Sequence, residues 1–231
     1  MTNVKKISRL PTIYSDVYIP LGIKCKPAYW LEYCGLRKFS LPFDWVGHYK
    51  LDVVIDTLNN PNKEWFVDFI EEDSKSNFYH HIKDNKTQMT SIHHFPKKYS
   101  VKEYLPIFNK MFLRRKIRLC NSIKNNQNIC FIMNRNDSVK EISKFMFSLS
   151  KMYPKNHFIV INIRQDNKNN CINKYEFSRS LVLYDYLFND VHEKGQDETK
   201  NKDCWKGNTK FWLGLMGNLK FGRNNKIRKY F

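Results

Sequence analysis

Two stretches of the chain join a helix-start signal to an apolar stripe at helical spacing. Ser100 and Glu103 make a capping box that opens a helix running to about Ile123. Ser138 and Glu141 make a second, opening a helix to Met152 that Pro154 closes. Short apolar runs at 128–133 and 157–163 flank this second helix and have the length of strands. Strand, helix and strand over 128–163 predict a βαβ unit, hence parallel pairing in an α/β sheet.

The remaining pattern is read more locally. Residues 17–22 predict a short strand ending at Gly22, followed by a tight turn and a short helix. Pro27 suits that helix's first turn and Gly35 the position just past its end. Residues 39–45 contain Pro42 and read as irregular; 49–58 alternate at helical spacing and stop before Pro61. Trp65, Phe66, Phe69 and Ile70 form a core stripe. Residues 78–82 and 89–95 flank Asp84-Asn85 as a hairpin, which puts His93 and His94 on opposite faces of a strand. Residues 166–173 read as polar loop, 181–188 as strand or helix, and 191–203 as an exposed polar excursion. A last helix over 205–219 buries Phe211, Trp212, Leu215 and Met216. No internal repeat or Gly/Ser linker interrupts the chain. The expectation is one α/β domain over 1–231, with a mostly parallel sheet flanked by helices and a basic tail at 220–231.

Composition narrows the class. With 42% hydrophobic and 15% aromatic residues in 231, the chain can bury a real core, which excludes a disordered polar chain. No apolar run approaches the roughly 18 residues of a membrane helix, and residues 1–14 lack the apolar segment of a signal peptide. A cytoplasmic protein is expected. Cys25, Cys34, Cys120, Cys130, Cys171 and Cys204 are scattered without a CxxC pair, so neither a zinc site nor a disulfide framework is indicated. No metal and no cofactor are expected.

A net charge of +18 points toward nucleic acid or another anionic surface. Ala28 is the single alanine beside many Lys, Asn and Ile residues, so an AT-rich coding genome accounts for much of the lysine. Arg114, Arg115, Lys116 and Arg118 in the long helix read most simply as a solvated face. Lys220, Arg223, Lys226, Arg228 and Lys229 read as a loose tail. An acidic or phosphate-bearing ligand is the alternative for both. No nucleic-acid-binding motif is legible.

The candidate chemistry sits at Cys25, between a strand-ending glycine and a helix N-terminus. The helix dipole, with Lys24 and Lys26 on either side, favours thiolate over thiol. The Gly22–Lys24 turn and the free N–H groups of the first helical turn suit a developing oxyanion. Packing is the competing role, since cysteine is among the most buried residue types. His80 and His81 read as surface or edge residues without a partner. None of the histidines has the carboxylate or cysteine spacing of a metal site.

Residues 19–29 (Ile-Pro-Leu-Gly-Ile-Lys-Cys-Lys-Pro-Ala-Tyr) and 35–45 (Gly-Leu-Arg-Lys-Phe-Ser-Leu-Pro-Phe-Asp-Trp) together resemble the signature of a family described as papain-like cysteine peptidases. Its members share Leu-Gly-x-x-Cys, Gly-Leu-Arg and Ser-x-Pro-Phe-Asp-Trp. The resemblance is weaker at 92–96, which holds His93 and His94, and faint at Trp205-Lys206-Gly207 through Trp212. It implies Cys25 as nucleophile, His93 as the base that deprotonates it and Asp44 as the group that orients the imidazole. His94 competes with His93, and the alternative role for Asp44 is to cap the turn that Pro42 starts. No glutamine lies upstream of Cys25, so only backbone oxyanion donors remain. Papain-like and flavodoxin- or SGNH-like topologies both stay open.

The implied activity is a thiol hydrolase acting on a peptide, amide or ester. Two alternatives stand beside it. One is an acyl- or glycosyl-transferring enzyme of surface-polysaccharide or glycoconjugate assembly. The other is an inactive binding protein with acidic partners.

Overall fold

The computed structural model describes residues 3–74 and 76–222. The first half of the chain carries β1 (Asn3–Ile7), β2 (Ile13–Ser15), β3 (Val17–Pro20), α1 (Lys26–Tyr33), β4 (Val46–Gly47) and α2 (Leu51–Asn59). There follow β5 (Phe69–Glu72), β6 (His81–Asp84), β7 (Thr90–Ser91) and α3 (Val101–Lys124). The second half carries β8 (Asn128–Met133), α4 (Val139–Met152), β9 (His157–Gln165), β10 (Cys171–Ser178) and β11 (Leu181–Phe188). A short 3-10 turn at Cys204–Lys206 precedes α5 (Thr209–Gly217) and β12 (Leu219–Phe221).

The predicted βαβ unit is present as β8-α4-β9, with Ile129 opposite Phe158 and Phe131 opposite Val160 in parallel register. Both capping boxes form, with the Ser100 and Ser138 hydroxyls accepting from the amides of Glu103 and Glu141. The main sheet has the order β1-β10-β11-β9-β8-β3. Its β3/β8, β8/β9 and β9/β11 pairings are parallel, whereas β10 runs antiparallel to both β11 and β1. The sheet is therefore mixed and not mostly parallel. The connection at 166–170 is too short for a crossover of a dozen or more residues, so β10 must return antiparallel. The segment 181–188 is the strand β11, and the expected loop at 166–173 ends where Cys171 begins β10.

Side chains of β8 alternate between two cores. Ile129, Phe131 and Met133 face α3 and α4 residues such as Phe108, Phe112, Leu119, Ile142 and Phe145. Cys130 and Ile132 face Trp30 and Leu31 of α1 and Trp212, Leu215 and Met216 of α5. A strand buried on both faces reads as a continuous apolar run, as β8 does. A second, antiparallel sheet of order β4-β7-β6-β5 lies in the long crossover from β3 to β8, and β12 pairs with β2.

Three further expectations are corrected. The hairpin pairs at Ile82–Ser91 and Lys83–Thr90, but β7 stops at Ser91 and residues 92–95 form a bend, so His93 and His94 do not lie on a strand. The basic stretch of α3 is not simply a solvated face. Lys116 is buried over the Trp65 ring and donates to the Lys63 carbonyl, and Arg118 donates to the Ser40 carbonyl. The polar stretch 191–203 is anchored by buried His192 and Asn201. Of the basic tail, 223–231 lies outside the described residues; Lys220 belongs to β12. Among the described residues no helix is long and apolar enough to cross a membrane.

Candidate active site

The chain leaves β3 at the C-terminal edge of the sheet, turns through Leu21 to Lys24 and places Cys25 at the N-cap of α1. Gly22 is required in that turn: an added Cβ would lie 2.7 Å from the Lys24 carbonyl oxygen and 2.7 Å from Pro27. The loop is fastened on both sides. Leu21 and Ile23 donate their amides to Ile132 and Asn134 at 2.9 and 3.5 Å, while His48 donates its amide to the Ile23 carbonyl at 3.3 Å. A Cβ at Gly47 would sit 2.9 Å from that same carbonyl.

The Cys25 thiol is half-buried and makes no cap hydrogen bond. Burial pushes it up to about 11; Lys24 pulls it down, and the Asp44 carboxylate pushes it further up. The expected field of two flanking lysines is thus halved. Lys26 is buried and its Nζ is 2.6 Å from Asp190 Oδ2, so its charge is spent on a partner and desolvation of the thiol prevails.

Asp44 is buried, and its Oδ2 accepts from the Leu41 amide at 2.9 Å and from Arg37 Nη1 at 2.7 Å. It therefore does cap the turn around Pro42. Burial raises its carboxyl to about 6, an effect opposed by the Leu41 amide and Arg37. Its Oδ1 is buried without a hydrogen-bond partner among the described residues. Arg37 also reaches Glu32 at 2.6 Å and lies over the Trp45 ring, 5.9 Å from its centroid.

His93 keeps solvent access, with its ring edge-on to Trp45 at 5.9 Å and to Tyr79 at 6.4 Å. Partial desolvation lowers its pKa. His94 is buried against Phe108 and Phe112, with Nδ1 2.9 Å from Ser91 Oγ and Nε2 3.4 Å from Arg115 Nη1. Burial, with Arg115 and His93 adding to it, pushes its pKa down to about 3. Asp44, Arg37, Trp45 and His93 thus form a run of neighbours, with Cys25 within the field of Asp44. No hydrogen bond joins Cys25 or Asp44 to either histidine among the described residues.

His48 escaped the sequence reading, although its backbone touches the Cys25 loop. It follows Gly47, directly after the Phe43-Asp44-Trp45 motif, which was the available signal. Its exposed side chain lines a cavity of about 260 Å³ with His81, Glu72 and Lys83. His80 and His81 are not partnerless: they pair with Glu71 and Glu72. Among the described residues no three His, Cys, Asp or Glu side chains gather in a group able to hold a metal ion.

A family model described as "Putative papain-like cysteine peptidase (DUF1796)" matches residues 16–179. The chain belongs to this family. No curated protein and no solved structure matches it. The papain-like family match takes in the Cys25 turn, the 35–45 motif and the 92–95 bend. The segment beyond it also reaches the site: Trp30 Nε1 of α1 donates to the Lys206 carbonyl at 2.8 Å, and Asp190 holds Lys26. Lys206 itself pairs with Asp203 at 2.8 Å and lies over the Tyr29 ring.

Proposed function

We propose that this member of the papain-like family is a thiol hydrolase in which Cys25 attacks an acyl carbonyl of a peptide, amide or ester. The observation that carries the reading is the position of the Cys25 thiol: half-exposed, at the N-cap of α1, inside the stretch that the family model matches. With its pKa near 11, the resting form is thiol, so the proton must be removed as the attack proceeds. This differs from a preformed thiolate and imidazolium pair.

His93 is the base the surroundings favour. It has solvent access, whereas His94 is driven to about 3 and faces a guanidinium. His93 takes the thiol proton as the sulfur–carbon bond forms, then passes it to the departing amine or alkoxide. Water, deprotonated by the same imidazole, cleaves the thioester and regenerates the thiol. The oxyanion of each tetrahedral state falls to backbone donors, the amides of Cys25 and Lys26, since Pro27 offers none. Substrate binding must bring the 92–95 bend toward the thiol, a tightening common between free and complexed enzymes. Asp44 acts through Arg37 and Trp45, setting the wall against which His93 rests.

An acyl-thioester trap tests this. Wild-type protein incubated with a panel of p-nitrophenyl acyl esters should carry one acyl group on Cys25 in intact-mass and peptide spectra. Cys25→Ser should carry none, and His93→Ala should acylate about 100- to 10,000-fold more slowly. Acylation that persists unchanged in Cys25→Ser would overturn the assignment.

A further inference from the structure

A second cleft, whose lining does not include Cys25, lies between α5, the ends of β10 and β11, and the chain leaving β1. Its volume is about 570 Å³, within the range of sites for a single small ligand. Three features define its chemistry. Lys6, Arg9 and Lys210 line it and no acidic residue does. All three are exposed, and none is in an ion pair among the described residues. Glu193 accepts the Lys210 amide at 3.0 Å but does not line the cleft.

The second feature is aromatic. Phe188 and Phe211 stack with centroids 4.1 Å apart and planes 14° apart, and both remain half-buried as part of the lining. The third is polar and uncharged: Asn170 and Asn208 add amides beside the cations. Converging cations with no carboxylate to neutralise them favour an anion carrying more than one charge. A carbon-faced wall next to them favours a flat ring on the same ligand.

We propose that this cleft binds a nucleotide, with the phosphates held by Lys6, Arg9 and Lys210 and the base set against the Phe188–Phe211 wall. The size argues for a free mononucleotide over single-stranded nucleic acid, which needs a groove that tracks several nucleotides. The site is separate from the Cys25 chemistry and stands or falls without it.

The test is titration calorimetry on the full chain with ADP and UDP, alongside inorganic pyrophosphate and a ten-residue oligouridylate. At least one of the two nucleotides should bind saturably and more tightly than pyrophosphate. Arg9→Gln combined with Lys210→Gln should weaken it by at least about tenfold, the loss of one or more charge-assisted bonds. Both residues are exposed, so the variant should keep the wild-type circular dichroism. Phe188→Leu should weaken the nucleotide and leave pyrophosphate unchanged. No saturable binding up to about 5 mM, a ceiling near 3 kcal/mol of affinity, would overturn the proposal. So would equal affinity for pyrophosphate, tighter binding of the oligouridylate, or indifference to the double substitution. Cys25→Ser should bind as the wild type does, which keeps this result apart from the acylation result.

Discussion

Lys26 Nζ and Asp190 Oδ2 lie 2.6 Å apart in a pair that joins the residue after Cys25 to the segment after β11. The Asp190 side chain is 1% exposed, and it also accepts from the Asn208 amide at 2.8 Å and Trp212 Nε1 at 3.1 Å. Removing one partner of such a pair strands the other. Lys26→Met should therefore cost about 3–5 kcal/mol in urea unfolding. Adding Asp190→Asn should restore at least half of that loss. A single-variant cost below about 1 kcal/mol, the scale of an exposed pair, would contradict the buried geometry.

Gly207 closes over this pair. Its φ is +72°, and an added Cβ would run into the Asp190 carboxylate and lie 2.7 Å from Lys26 Nζ. Gly207→Ala should lose at least about 2 kcal/mol of stability from backbone strain alone. It should also change Cys25 alkylation, because Lys26 is the next residue. Alkylation kinetics unchanged from wild type would separate Gly207 from the site.

Cys25 should behave as a suppressed thiol in the free protein. With a pKa near 11, about one molecule in a thousand is thiolate at pH 8. Iodoacetamide labelling read by peptide mass spectrometry should rise close to tenfold per pH unit through pH 10. A rate that levels off below about pH 8.5, the ordinary thiol range, would show the helix end and Lys24 overcoming burial.

Asp44 should leave a mark on stability between pH 4 and pH 6. Its carboxyl is raised to about 6 by burial, so the folded state holds the proton more tightly than the unfolded chain does. Its contribution is therefore fully present below about pH 4 and is lost as pH rises through 6, by up to about 3 kcal/mol. The difference between wild type and Asp44→Asn in urea unfolding should vary across that window and stay level above pH 7. A flat difference would mean that Arg37 and the Leu41 amide offset burial completely.

The neighbouring histidines should separate by measurement. His94→Ala empties a buried position and deprives the Ser91 hydroxyl of its partner, at about 2–4 kcal/mol. His93→Ala, at the solvent edge, should cost no more than about 1 kcal/mol while slowing acylation. Thermal and urea unfolding of both variants, beside the ester assay, give the comparison. A larger stability loss in His93→Ala would reverse the assignment of structural and reacting residue.

Local signals were legible and distant partnerships were not. Ser100/Glu103 and Ser138/Glu141 announce their helices because a capping box is complete within one turn. Gly22 and Pro27 similarly announce the Cys25 turn. The return of β10 was hidden because its first residues, 171–173, read as part of the polar loop and the strand that follows buries only Ile172. The short hairpin hid the placement of His93 and His94: pairing ends at Ser91, so alternation no longer governs the residues beyond. Nothing near Lys26 reveals its burial, since its counter-charge is 164 positions along the chain.

β11 sits between β9 and β10, yet it begins two residues after the family match ends at residue 179. A fragment trimmed to the matched stretch would lack β1 and β11, the two partners of β10, and leave β10 with no neighbour to join it to the rest. It would also discard the carboxylate that neutralises Lys26. The signature that identifies this protein is therefore shorter than the unit that folds. Expression designed around the Cys25 motif must extend through α5 and β12 to yield anything worth assaying.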